Sequence, residues 1–411
     1  MVSSSIDHIV AVTVFLAAIL LFISLFNQTI QTAVIYQRHK ATATKASDLL
    51  DNMLLSPGIP INWGQINGTP TGFGLQDPEF TQYKLSPYSL MRLTSFSGTP
   101  VYYPRTGTTY SNITMGFGNF LLVSSTQSIN YSTASRLLGI NSKYGFQLTI
   151  SPIITVSVTK ISTGTPLKLL INVAGTGSSL PFAPISYCFI LVNKGNNQYP
   201  SFTTVYGSTY TNAAGSVELE FSGIDGESYS YTLIAYAGIS GLKGAGYYTH
   251  ASEDLAEYVV PMVDSFEDRR VLIAHSWAVN EPPDKTSQSE LKYNATFVIL
   301  ADDFTLREVP IGVGRVGHVV YGQGTEKAYG NITIPTYNPG ILVVTYRKSA
   351  TQYGAVMMPW GLSAMAFPVT FGGDPSQQEW VATDMRHVTV GGIAYQAKLA
   401  LWSLEGYQVI N

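Results

Sequence analysis

Ile9–Phe26 reads IVAVTVFLAAILLFISLF, eighteen residues without a charged side chain. As a helix it spans roughly 27 Å, enough for the hydrocarbon core of a bilayer. The residues ahead of it, MVSSSIDH, hold no Lys or Arg, and the exit NQTIQTAV lacks a small-residue cleavage pattern. The run therefore reads as retained rather than as a removable signal. The following stretch, NQTIQTAVIYQRHKATATKASDLLDNMLL, contains no Pro or Gly, and Ala46, Leu49, Leu50, Met53 and Leu54 recur at helical spacing. Pro57 and Gly58 in SPGIP stop the pattern. Together these predict one continuous helix of about 45 residues, from near Ile6 to near Leu55 and roughly 70 Å long. Its first half suits lipid or a helical bundle, and its last turns present a Leu/Met stripe for a globular domain to cover.

This construction resembles the N-terminal helix of archaeal type IV pilin-like proteins. Asp7 lies just before the apolar run, where that family carries an acidic residue near the mature N-terminus; were maturation to begin at Ser3, Asp7 would be fifth. LLSPGIPINWG (Leu54–Gly64) is similar to archaeal surface proteins of the same type. The resemblance covers about the first 64 residues. It implies a filament subunit whose helix polymerises. A plain membrane anchor meets the same length requirement, so both readings stay open. An acid at the edge of a membrane is costly unless paired, so Asp7 is expected to meet a neighbouring N-terminus or helix.

Charged residues make up 12% of the 411-residue chain against 45% hydrophobic. Soluble proteins average roughly 25% charged, so hydroxyls and amides must hydrate this surface. The net charge of −3 supplies no basic field for nucleic acid. One cysteine, Cys188, allows no intrachain disulfide, and its setting ISYCFILVN reads as that of a buried small hydrophobe. Arg38, Lys40 and Lys45 follow the apolar run, which by the positive-inside rule favours a cytoplasmic body. The low charge, the Tyr-rich strands and six Asn-X-Ser/Thr sequons, at Asn27, Asn67, Asn112, Asn130, Asn294 and Asn331, favour the exterior. Large domains translocate largely regardless of flanking charge. The reading is a single-pass cell-membrane protein with its C-terminal bulk extracytoplasmic.

Beyond Trp63 the pattern is strand and turn. YGFQLTISPIITVSVTKIS alternates Phe146, Leu148 and Ile150 against Gln147, Thr149 and Ser151. A short helical turn is expected near STASRLLG. Between Thr163 and His250 compact strands with regular turns follow, and TNAAGSVELEF (Thr211–Phe221) resembles immunoglobulin-like or carboxypeptidase-regulatory-like sandwiches, an adaptor fold without its own activity. In the closing strand Ile393, Tyr395, Ala397, Leu399 and Leu401 share one face. The expected fold is mainly β: a long N-terminal transmembrane helix (1–56, span 9–26) followed by stacked β-sandwich domains. These are a first β region packed on the helix (57–162), an immunoglobulin-like sandwich (163–251) and a C-terminal β domain (252–411).

Little assembled chemistry is legible. GVGRVG (Gly312–Gly317) fits G-x-G-x-x-G, but HVVYGQG follows where a dinucleotide site needs a helix, so a glycine-rich β turn is expected. His8, His39, His250, His275, His318 and His387 never pair at ligand spacing. FGGDPSQQEWVATDMRH groups Asp374, Glu379, Asp384 and His387 in one loop, and the carboxylates could hold a structural Ca²⁺. The bland alternative is a solvated loop with Asp384 beside Arg386 and Trp380 packed beneath. Glu253, Asp254 and Glu257 read as the surface of a linker helix. No cofactor, catalytic residue or nucleic-acid partner is expected. The function read from the sequence is a non-enzymatic structural component of the cell envelope or a surface appendage, with the membrane, further copies or other envelope proteins as partners. A surface module binding a glycan or protein ranks second, and a surface hydrolase third.

Overall fold

The computed structural model describes residues 2–93, 101–103, 107–114, 120–140, 142–194, 198–252, 257–276, 290–317, 329–349 and 351–404. A single helix, α1, runs from Val2 to Leu55, 54 residues, about one turn longer at its start than the sequence pattern marks. It ends where Pro57 and Gly58 (φ +82°) break it. Over its first half α1 is apolar on every side: Phe15, Leu20 and Phe22 are 65, 67 and 69% exposed. A helix apolar all round has no reason to exist in water and belongs in lipid or among other helices. Its last turns behave differently. Ala46, Leu50, Met53 and Leu54 are wholly buried and Leu49 nearly so, the stripe that the 3.6-residue period marks.

That stripe packs on the two strands Ala382–Val390 and Ile393–Ser403. They belong to a five-stranded sheet ordered Lys84–Leu85, Ala382–Val390, Ile393–Ser403, Tyr144–Pro152, Val369–Gly372. The alternation read in Tyr144–Pro152 is obeyed: Phe146, Leu148 and Ile150 are fully buried, as are Ala397, Leu399 and Leu401 opposite them. A six-stranded sheet carries Val101–Tyr103, Thr108–Thr114 and Phe120–Ser124 beside Val259–Ser265, Arg270–His275 and Tyr329–Thr333. Its two halves join through a parallel contact of Leu122 and Val123 with Met262 and Val263. A third sheet is formed by Leu306–Gly317, Glu290–Leu300, Gly340–Arg347 and Tyr353–Trp360. The helical turn near STASRLLG is Tyr131–Leu137, capped by the Asn130 side chain on the Thr133 N–H.

The regions expected at 57–162 and 252–411 are thus not separate stacked domains, because they share two sheets. Phe146, Leu148 and Ile150 need a neighbour on each side of their strand, and the chain supplies both only after residue 368. Between the two halves sits a two-sheet sandwich, Phe202–Tyr210, Pro184–Val192, Tyr231–Ile239 and Leu242–His250 against Ser216–Phe221, Leu167–Gly175 and Thr155–Lys160. It begins one strand earlier than the boundary at Thr163, since Val156 and Val158 lie in its core. Cys188, Ile190, Ile234 and Tyr236, on the outer face of the four-stranded sheet, are buried in the main core instead. Burial on both faces explains why SYCFILV and YTLIAYA read as continuous apolar runs.

Candidate functional site

The feature that distinguishes this molecule is the emergence of α1 from the β body. Among the described residues it is the one helix long and apolar enough to cross a membrane. No Asp, Glu, Lys or Arg occurs between Asp7 and Arg38. This run of roughly 45 Å exceeds the ~30 Å hydrocarbon core by several turns. Asp7 is exposed at the far end.

At the near end the helix is fastened as well as packed. Arg386 grips Asp51 with two bonds, Nε to Oδ1 at 2.9 Å and Nη2 to Oδ2 at 3.0 Å, and donates from Nη2 to Ser47 Oγ at 3.1 Å. Its third nitrogen meets Asp384 Oδ2 at 2.9 Å, and the Tyr83 hydroxyl donates to Asp51 Oδ1 at 3.3 Å. The bond to Asp51 is the main reason the Arg386 guanidinium is held above its ordinary range. A ring stack of His39 on Trp380, centroids 4.1 Å apart, braces the helix about two to three turns nearer its N-terminus. Neither contact is readable from sequence distance; the only hint was the scarcity of charge, which makes each Arg–Asp pair notable.

This arrangement disperses the carboxylates considered for Ca²⁺. Asp374 accepts the Ser376 N–H at 2.9 Å and the Ser376 hydroxyl at 2.7 Å, which lowers its pKa. Asp384 serves Arg386, Glu379 is exposed, and Trp380 turns to His39. Among the described residues no three of His, Cys, Asp and Glu gather as ligands. His387 is exposed on the strand Ala382–Val390, and His318 lies outside the described residues. GVGRVG forms the end of the strand Leu306–Gly317, not a turn: a bulge falls at Gly312, and Gly314 lies under the Tyr293 ring, where a Cβ would come within 2.3 Å of the hydroxyl. Cys188 is buried without a disulfide, and burial pushes its thiol up to about 12. Glu257 lies 2.9 Å from Lys348 Nζ, whereas Glu253 and Asp254 lie outside the described residues.

The sequons fall in distinct settings. Asn27, Asn67, Asn130 and Asn331 are exposed. Asn130 caps with its carbonyl oxygen, leaving the amide nitrogen outward. Asn294 sits in a central strand with its amide donating to Pro200 O at 3.1 Å, and Thr296 of the same sequon is buried against Glu308, so the folded chain withholds that acceptor. Asn112 lies in the strand Thr108–Thr114, and its side chain is outside the described set. A polar cleft of about 600 Å³ opens where the helix-bearing sheet meets the sandwich, with Gln65, Lys84, Lys243, Asp302, Tyr337 and Asn338 among its walls.

One titratable group deep in the body has a measurable signature. His275 is fully buried at the end of the strand Arg270–His275, 3.8 Å from Glu257. Burial depresses its pKa from 6.5 to about 4, the nearby Glu257 opposing only in part. The unfolded chain therefore binds this proton first, so stability is full above pH 6.5 and falls as the pH drops toward 4. Urea titrations across that window are expected to show a slope approaching about 1.4 kcal/mol per pH unit. His275→Gln is expected to remove that slope.

No protein-family model and no curated protein matches this sequence. Among solved structures, the chain shows 9% identity to red sea bream transglutaminase over 55% of its own length and 32% of that chain, with a TM-score of 0.18. The D0–D1 domain of intimin matches at 15% identity over 54% and 98%, TM-score 0.20. E. coli alpha-2-macroglobulin matches at 9% over 68% and 19%, TM-score 0.21. The chain thus spans about a third of the first and about a fifth of the last. Likeness at that level carries nothing about activity or partners.

Proposed function

We propose that this chain is a non-enzymatic structural component of the cell envelope or of a surface appendage, held by one membrane-spanning helix with its β body outside, and that copies associate through the helix. The observation that carries this reading is the contrast along α1. Its last turns are buried and ion-paired to the body, while more than 40 Å of uncharged helix stands bare. No loop separates the two parts, so the helix projects as a stiff extension of the body rather than as a tether. Lipid covers about twenty residues of it. The remainder, from Asn27 to Gln37, mixes Ile30, Val34 and Ile35 with Gln and Thr, a surface suited to neighbouring helices.

Shearing intact cells without detergent is expected to release this chain in long particles visible by electron microscopy. Asp7→Ala is expected to leave it in the membrane fraction, because the neighbouring N-terminus or helix loses the acid that pairs with it. Retention of the unaltered chain in membranes until detergent is added would instead establish an isolated anchor. The cleft beside Tyr337 and Asn338 favours a binding module as the second reading, since amides, carboxylates and an exposed aromatic ring are the groups that hold a sugar.

A further inference from the structure

The strand Phe202–Tyr210 (FTTVYGSTY) borders the sandwich. It pairs with Pro184–Val192 and, among the described residues, with no strand on its other side. An open border offers a row of N–H and C=O groups to any passing strand, and proteins blunt such edges with charge, proline, bulges or cover. The other long borders here carry those devices. Ser216–Phe221 displays Glu218 and Glu220, and Leu306–Gly317 has Arg307, Pro310, Arg315 and the bulge at Gly312. Tyr353–Trp360 is buried throughout. Leu242–His250 and Thr155–Lys160 cover each other so closely that a Cβ on Gly246 would come within 2.2 Å of Val156 O. Phe202–Tyr210 has no charge and no proline, and Thr203, Val205, Tyr206, Ser208 and Tyr210 are exposed.

The backbone phase of this edge is fixed. The Asn193 N–H donates to Ser201 O at 2.9 Å and the Thr211 N–H to Ala183 O at 3.0 Å. Antiparallel neighbours alternate between bonded and unbonded pairs. Odd-numbered residues therefore face the inner strand, and Phe202, Thr204, Tyr206, Ser208 and Tyr210 turn their backbone groups outward. Glu308 accepts from the Thr204 and Tyr206 hydroxyls on one face of the strand, and these side-chain bonds leave the outward main chain unused.

Save at Val205 and Gly207, the sequence of the strand is chemically symmetric about Tyr206: Phe202 mirrors Tyr210, Thr203 mirrors Thr209, and Thr204 mirrors Ser208. Aromatic–aromatic and Thr–Thr or Thr–Ser partners are the pairs that stabilise facing strands. We infer that this edge pairs with the same strand of a second copy, antiparallel, about a two-fold axis at Tyr206. In that register every outward backbone group meets another outward group, each facing pair exchanging two hydrogen bonds, and the contact closes on itself. It requires neither the membrane span nor Asp7, and so goes beyond the helix association proposed above.

The test uses the full-length chain in detergent under mild oxidation. Cys188 is buried and stays out of the reaction. Across the two-fold axis, Tyr206→Cys brings two thiols together at a Cα separation of about 5.5 Å, suitable for a disulfide. Thr203→Cys places them roughly 20 Å apart along the strands. Tyr206→Cys is expected to form a covalent dimer at least on the order of tenfold faster than Thr203→Cys. Adding Val205→Lys to Tyr206→Cys is expected to abolish the dimer by charging the edge. Equal crosslinking at the two positions, no crosslinking at Tyr206, or full crosslinking despite Val205→Lys overturns the inference.

Discussion

Arg92→Ala is expected to lower the unfolding free energy of the β body by about 3–5 kcal/mol. The guanidinium is fully buried and has no carboxylate within reach among the described residues. It donates instead to the carbonyls of Trp63, Ile66, Gly68 and Gln127 and lies 5.2 Å from the Trp63 ring centre. Burial pulls its pKa down to about 10, which still leaves it charged at neutral pH. One side chain therefore ties the irregular segment after α1 to the segment at Gln127. Alanine takes this donor from the buried carbonyls of Trp63 and Gln127, each costing about 1–3 kcal/mol before water enters. Lysine is expected to rescue little, because a single ammonium cannot reproduce a planar fork of donors. Urea unfolding followed by tryptophan fluorescence checks both variants, and an Arg92→Lys midpoint equal to the native one would remove the fork from the explanation.

Leu50→Ala is expected to cost about 2–5 kcal/mol and to free the last turns of α1 from the body. Leu50 is fully buried among Ala46, Met53 and Leu54. Arg386→Ala, by contrast, removes an ion pair whose side chains keep 24 and 35% of their surface. Solvent screening holds that loss to about 1 kcal/mol or less. The apolar stripe thus carries the docking and the ion pair fixes its rotation. Protease cleavage within Lys40–Leu50 should rise sharply in Leu50→Ala and little in Arg386→Ala; the opposite order would reverse these roles.

What the sequence showed and what it hid follow from the range of each signal. The stripe Ala46, Leu49, Leu50, Met53 and Leu54 and the alternation in Tyr144–Pro152 are local periodicities, and both were readable because each residue's face is set by its immediate neighbours. Strand partnership is not local. Nothing in GFQLTISP says that its partners lie more than 200 residues onward, so contiguous stretches passed for domains. Arg92 carries no signal of its role within SLMRLTS, since the carbonyls that hold it belong to irregular backbone without a pattern. Asp374 and Asp384 were grouped by proximity along the chain, and a strand direction then separated them. The exposed border at Phe202–Tyr210 was visible only as a strand; its position in the sheet made it an edge.

The seat of α1 also constrains how the molecule is made. The helix leaves the ribosome well before the strands that receive its stripe, Ala382–Val390 and Ile393–Ser403, which lie more than 300 residues further along the chain. Until they arrive, Leu50 and Met53 have nothing to cover them, and Tyr144–Pro152 lacks both neighbours. The sandwich between the two halves brings its own core and can close early. Such long-range pairing is slow and leaves unpaired strands open to aggregation. Under the proposed membrane anchoring, synthesis at a membrane meets that hazard by handing the apolar helix to lipid at once, so that each nascent chain waits for these later strands tethered and apart from its neighbours.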